Sequence, residues 1–135
     1  MKFELAKHPV HLGLGATAAM LAEFDGTVEW YQRYGEAHDD DGAEGRLVAV
    51  HEFTEDWSTW EVHPSGAELV YVMSGKLTLI QTDEGKRTTI ELAAGEAAIN
   101  PPGVWHTAKV SEPTRALFVT AGLGTRNEKQ PPAGW

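Results

Sequence analysis

The sequence contains no cysteine. That excludes a disulfide scaffold, a thiolate metal site and a cysteine nucleophile. Basic residues are scarce: 11 Lys and Arg stand against 20 Asp and Glu in 135 residues, a formal net charge of −9. An acidic surface repels nucleic acid and anionic membrane, so neither is expected as a partner. Long hydrophobic runs are missing too. The longest near the N-terminus, Ala16 to Ala22, contains Thr17. It falls far short of the roughly 20 apolar residues of a membrane span and lacks the flanks of a signal peptide. A soluble, cytoplasmic protein is the expectation. The chain shows no internal repeat, and its length suits one domain with a substantial core.

What the sequence does have, from Arg46 onward, is a succession of short apolar stretches separated by turn residues. Strands are expected over Leu47–Phe53, Ser58–His63, Glu68–Met73, Lys76–Thr82, Arg87–Leu92, Glu96–Asn100, Thr107–Val110 and Arg115–Thr120. Pro64-Ser65-Gly66, Ser74-Gly75, Asp83-Glu84-Gly85, Ala94-Gly95 and Pro101-Pro102-Gly103 supply the turns. Such spacing points to an all-β closed barrel or jelly roll. Residues 1–45 read as an extension: His11–Leu21 as one added strand, Thr27–His38 as a short helix capped by Asp25 or Thr27, with Val28, Tyr31 and Tyr34 as its apolar stripe. Residues 46–125 read as the barrel and 126–135 as a polar tail. Asp39-Asp40-Asp41-Gly42 lacks the rest of a calcium-loop pattern and reads as a solvated acidic loop. His8-Pro9-Val10-His11 reads as an extended arm without a functional role.

The chemistry-bearing residues cluster twice. Glu61 and His63 sit two apart on one strand and share a face. The Pro64-Ser65-Gly66 turn folds the chain back so that Glu68 can join them. Later, Pro101-Pro102-Gly103 precedes His106. A barrel closed from these strands brings Glu61, His63, Glu68 and His106 into its mouth. Imidazole nitrogens and carboxylate oxygens suit iron, manganese, nickel, copper or zinc, and a cation offsets the cost of burying charge. A metal-free hydrogen-bonded cluster is the competing reading.

These residues resemble the two motifs of a single-domain cupin. Glu61-x-His63, four residues, Glu68, six residues and Gly75 follow the first motif. Gly95, five residues, Pro101-x-Gly103, two residues and His106 follow the second. Three positions depart from the pattern: Glu55 stands where a Gly is usual, Glu61 where the first ligand His is usual, and Val110 where an Asn is usual. The resemblance implies a jelly-roll β-barrel with the N-terminal strand and helix appended, a divalent metal (Fe, Mn, Ni or Zn) on His63, Glu68 and His106, and a small-molecule ligand. Glu61 is then a fourth ligand or a catalytic base. It further implies dioxygenase-, isomerase- or lyase-type chemistry, with a non-catalytic binding or sensing protein and a metal-free barrel as alternatives.

Val70, Val72 and Val110 are expected on the inner face, forming an apolar pocket around the polar cluster. Trp105 is expected at the mouth, to stack on a ligand or simply to pack, and His51 on a neighbouring strand is either a further pocket residue or a satisfied or exposed histidine. Trp60 points away from His63, towards the core or a partner. With the N-terminal extension it suits an edge-to-edge homodimer.

Overall fold

The computed structural model describes all 135 residues. Its strands run β1 (Val10–Gly13), β2 (Thr17–Met20), β3 (Arg46–Phe53), β4 (Trp60–Val62), β5 (Glu68–Ser74), β6 (Lys76–Asp83), β7 (Lys86–Ala93), β8 (Ala97–Asn100), β9 (Trp105–Lys109), β10 (Thr114–Thr120) and β11 (Arg126–Glu128), with one helix, α1 (Val28–His38), between β2 and β3. The strands form two antiparallel sheets. One has the order β2-β1-β3-β10-β5-β8, the other β11-β4-β9-β6-β7. Their facing surfaces enclose a jelly-roll core of Val70, Val72, Leu77, Leu79, Leu92, Ala108, Ala116 and Phe118. Burying each large side chain of this set stabilises the fold by about 1.5–3 kcal/mol.

Alternation of buried and exposed positions is clean along β5 and β10, the mark of strands with one face inward. Gly75 links β5 to β6 at φ +82°, and a Cβ there would lie 2.5 Å from the Pro113 carbonyl oxygen, so no other residue fits. No helix is long and apolar enough to cross a membrane.

The segments flanking the barrel differ from expectation in three ways. His11–Leu21 is not one strand but the β1–β2 hairpin, because Gly15 (φ +71°) and Ala16 (φ +58°) turn the chain between them. Helix α1 begins as expected: Thr27 Oγ1 accepts from the Trp30 amide at 3.2 Å, and Asp25 accepts from the Thr27 amide and hydroxyl. Its apolar anchor, however, is Trp30 and not Val28, which is 67% exposed. Trp30 donates its indole N–H to the Ala22 carbonyl at 3.1 Å, meets Phe24 edge to face and stacks on Tyr34 one turn on. Finally, residues read as a polar tail contribute β11, paired with β4.

That tail also decides between the core and a partner as the surroundings of Trp60, in favour of burial within the chain. Trp60, Val62 and Trp105 form a second buried cluster on the outer face of the five-stranded sheet, packed against Ile80 and Trp135, with the Arg87 guanidinium 5.0 Å from the Trp60 ring centre. The chain covers this face itself.

Candidate metal centre

Strand register assembles the centre from both sheets. On the five-stranded sheet, His106 of β9 lies directly opposite Glu61 of β4 and Gln81 of β6. Residues directly opposite in antiparallel strands point to the same face. His63 follows at the end of β4, and its carbonyl accepts the Gly103 amide at 3.1 Å, which ties the two motifs together. On the six-stranded sheet, Glu68 of β5 lies opposite Thr120 of β10 and Asn100 of β8. Closing the two sheets sets Glu68 against the histidines.

The four side chains meet as expected. His63 Nε2 lies 3.2 Å from Glu68 Oε2 and 3.4 Å from Glu61 Oε1. His106 Nε2 lies 3.3 Å from Glu68 Oε1 and 4.0 Å from Glu61 Oε1. The site is buried: the side chains of His63, Glu68 and His106 are 5%, 4% and 0% exposed. Glu61, at 28%, is the one member open to solvent.

Each buried group is oriented by a neighbour. The Asn100 side-chain amide donates to Glu68 Oε1 at 3.0 Å, and the Thr120 hydroxyl donates to Glu68 Oε2 at 2.6 Å. Gln81 donates to Asn100 Oδ1 at 2.8 Å and holds it in place. His106 Nδ1–H donates to the Val104 carbonyl at 3.3 Å, which turns its Nε2 lone pair inward. His63 Nδ1 is bonded to the Thr125 hydroxyl at 2.8 Å. None of Asn100, Gln81, Thr120 and Thr125 stands out in the sequence. They are ordinary strand and turn residues, and only the cross-strand register reveals them.

Both Nε2 atoms are buried and make no hydrogen bond of acceptable geometry. Two buried unpartnered imidazole nitrogens facing carboxylates would be costly in a site meant to stay as it is. A cation satisfies all of them together. With metal–ligand bonds of about 2.0–2.2 Å, neighbouring ligand atoms stand roughly 3–3.6 Å apart, close to the separations seen here. The chemistry and spacing of the donor set therefore fit a divalent metal, with Glu61, His63 and His106 as one group of mutually close ligand atoms and Glu68 touching both histidines.

Without a cation the cluster holds a proton. Burial pushes the His63 imidazolium down, but the Glu61 and Glu68 carboxylates reverse this and lift its pKa to about 9. Burial likewise favours a neutral Glu68. Its contacts with His106 and His63 override that and hold the carboxyl well below the usual range.

The pocket residues divide. His51 packs among Phe24, Phe53 and Phe118. Burial pulls its pKa down, with Glu61 and Glu68 opposing, so it lies within the field of the centre. Val70 and Val72 face inward but are 1% and 0% exposed, part of the closed core rather than the wall of an open pocket. Trp105 is not at the mouth: alternation along β9 sends it to the face opposite His106, where Arg126 lies 5.5 Å from its ring centre. Val110 lies beyond the end of β9 and lines a surface cleft with Lys76, Leu77 and Leu92, away from the centre. Two residues missed by sequence reasoning take part. Trp57 lies beside His106, ring centres 6.2 Å apart, with a buried, unpartnered indole N–H. Tyr31 of α1 keeps 44% of its surface exposed, and the partial burial of its hydroxyl end together with the charges of Glu61 and Glu68 raises its pKa to about 12.

Comparison with known proteins agrees with this architecture. No curated protein matches the chain. Among solved structures, a cupin-2 domain protein from Shewanella frigidimarina is 24% identical, with a TM-score of 0.48 over 55% of this chain and 68% of that one. An oxalate oxidase is 19% identical with a TM-score of 0.53, covering 59% of this chain but only 44% of that one. A hydroquinone 1,2-dioxygenase from Sphingomonas is 16% identical with a TM-score of 0.48, over 56% of this chain and 58% of that one. Residues 50–120 match the family described as the cupin domain. This stretch covers more than half of the chain and holds the whole His–His–Glu centre, and the chain belongs to the cupin family.

Proposed function

We propose that this cupin is a small-molecule metalloprotein, and an enzyme, whose divalent ion is held by His63, Glu68 and His106 with Glu61 beside them. The observation that carries this reading is the pair of buried, unpartnered Nε2 atoms aimed at the carboxylates. A two-histidine, one-carboxylate set with open positions suits ferrous iron, and a second carboxylate extends the range to manganese. When bound, the ion supplies Lewis-acid polarisation of substrate oxygens or a place to bring dioxygen beside them.

The chain's own residues have separate tasks. Val104 and Thr125 fix the imidazole orientations, and Asn100 and Thr120 fix Glu68, the outer bonds that tune a metal ligand. Glu61 is the member a substrate reaches first, so it takes a proton from the substrate or completes the ligand set. His51, Tyr31 and Trp57 offer polar atoms from aromatic surroundings, as expected of a site that takes a small organic molecule.

Elemental analysis of untagged protein, with His106→Ala in parallel, tests the reading. Near-stoichiometric metal that is lost in the variant supports it, and the metal's identity selects the assay. Iron calls for oxygen-uptake screens, and manganese, nickel or zinc for anaerobic isomerase and lyase screens. No metal after reconstitution with each ion overturns it, and tight ligand binding without turnover makes the protein a binder and not an enzyme.

The reading includes a homodimer, through a different surface from the one expected. The outer face of the six-stranded sheet exposes Leu69, Tyr71, Met73 and Ile99 at 39–60%, continuous with Leu117 and Val119 on β10. The strands themselves put only Arg46, Glu52 and Arg115 among charged residues on this face, and the N-terminal segment adds Glu4 and Lys7 at its edge, beside Val50, Met73, Arg115 and Leu117. In a molecule of net charge −9, it is the surface across which two copies meet without repulsion, and contiguous exposed apolar patches of this kind mark association sites.

A further inference from the structure

A second histidine cluster lies outside the barrel, built from segments the sequence reading left without a function. His11 of β1 is 4% exposed. Its ring lies parallel to that of His38, the last residue of α1, with centres 4.0 Å apart and planes at 27°. His11 Nε2 lies 2.6 Å from Asp41 Oδ2, and His11 Nδ1 lies 2.7 Å from the Tyr34 hydroxyl. One ligand atom from each of His11, His38 and Asp41 lies within 4.8 Å of the other two. Two glycines make room: a Cβ on Gly45 would sit 3.0 Å from His11 Cε1 and 3.1 Å from Asp41 Cβ, and one on Gly13 would sit 2.8 Å from Asp41 Oδ2.

We propose that His11, His38 and Asp41 form a second divalent transition-metal site, separate from the barrel centre, that clamps helix α1 to strand β1. Two imidazoles and a carboxylate select zinc, nickel or copper(II) over calcium or magnesium, which prefer oxygen donors throughout. The outer bond that normally accompanies a histidine ligand is in place. When the ion takes His11 Nε2, the proton resides on Nδ1 and is donated to the Tyr34 oxygen. The hydrogen bonds of the cluster use both His11 nitrogens and neither of those of His38, so His38, which is not held by the cluster, turns out of its stack on His11 to bring a ring nitrogen into line with the ion. Asp41 is 30% exposed, which provides an entry path and the freedom to move. Opening its contact with His11 by less than about 1 Å brings the two donors to the spacing of metal ligands. The preceding Asp39 and Asp40 favour a cation by charge.

The location gives the site a consequence. Trp30 and Tyr31 of α1 pack on Phe24, which in turn packs on His51 of β3. An ion on the last residue of α1 therefore steadies the helix and the aromatic contacts that lead from it to His51.

The test is calorimetric titration of zinc into the full-length, metal-stripped protein, with cobalt(II) absorption as an independent readout. The parent is expected to take two equivalents. His38→Gln and Asp41→Asn should each take one, with affinity at the second site lowered at least 100-fold, and Tyr34→Phe should lower it about 10-fold. His106→Ala should keep the second equivalent, and His38→Gln/His106→Ala should bind none. One equivalent that survives His106→Ala and is lost in His38→Gln supports the clamp while overturning the barrel centre. One equivalent that vanishes in His106→Ala overturns the clamp. So does a second equivalent that survives both His38→Gln and Asp41→Asn. If either variant fails to fold by circular dichroism, the other decides alone.

Discussion

Two clusters in this protein each join a pair of histidines to carboxylate, by opposite routes. In the barrel, His63 and His106 are buried with their Nε2 atoms unpartnered and both carboxylates close by. At the N-terminal clamp, His11 is equally buried but both its ring nitrogens are bonded. Without a cation the first arrangement relies on a proton on His63 to offset its carboxylates and leaves His106 Nε2 unpartnered. The second is already satisfied, and an ion must displace an existing hydrogen bond. The difference teaches that affinity depends on what the ligands do beforehand as much as on their identity. The barrel centre should therefore bind far more tightly than the clamp, and the clamp should persist as a hydrogen-bonded lock when stripped.

The largest effect expected is at the barrel. His63→Ala leaves the Glu68 carboxylate buried without the imidazolium that faces it, a loss on the scale of about 3–5 kcal/mol for breaking a buried charged pair. Chemical denaturation of metal-stripped parent and variant measures it. The matching change at the clamp, His38→Ala, should cost about 1 kcal/mol or less, since His38 is partly exposed and holds no hydrogen bond of the cluster. Equal losses at the two clusters would erase the distinction.

Next come the groups that orient the ligands. Asn100→Ala removes the amide that holds Glu68 Oε1 and should weaken barrel metal affinity by about 10–100-fold, with the clamp equivalent unchanged. Competition with a chelator of known affinity reads this directly.

The pH dependence has a definite sign. In metal-stripped protein the His63 pKa is raised from 6.5 to about 9. Its stabilisation is complete below pH 6.5 and lost as pH rises through 9. Glu68 is depressed below its ordinary 4.5, so its contribution is complete above pH 4.5 and lost as pH falls. Both contributions are whole between pH 4.5 and 6.5, and the metal-stripped protein should melt at lower temperature at pH 9 than at pH 6. Metal uptake must displace the His63 proton, so apparent affinity should rise with pH over the same range by up to about tenfold per unit. Affinity that is flat from pH 6.5 to 8.5 would mean that no proton leaves His63. The smallest effect on either cluster is expected from Tyr71→Lys with Ile99→Lys. These lie on the outer sheet face and should shift the molecular mass by light scattering from dimer to monomer, leaving metal content unchanged.

Much of the barrel was legible because its information is local. Turn residues such as Ser74-Gly75 and Pro101-Pro102-Gly103 punctuate the strands, and alternation along Glu68–Ser74 names the inward face. The two motifs also name the four polar residues whose side chains the fold brings close together. Legibility failed where the deciding partner is far along the chain. Trp105 neighbours His106 in sequence, yet the pleat sends it to the face that Arg126 covers. Trp60 reads from sequence as facing either the core or a partner, and only the packing of Trp135 over it decides.

The sequence by itself determined the absence of thiol chemistry, the acidic surface, the order of short strands and the donor types available to a metal. These follow from composition and from periods of two residues. The tertiary structure decided which groups orient those donors and which histidines form a second cluster. Thr120 and Asn100 reach Glu68 from 52 and 32 residues away, and His11 meets Asp41 across 30. Such contacts depend on register and sheet closure, which the core packing of the whole chain sets and no local pattern encodes.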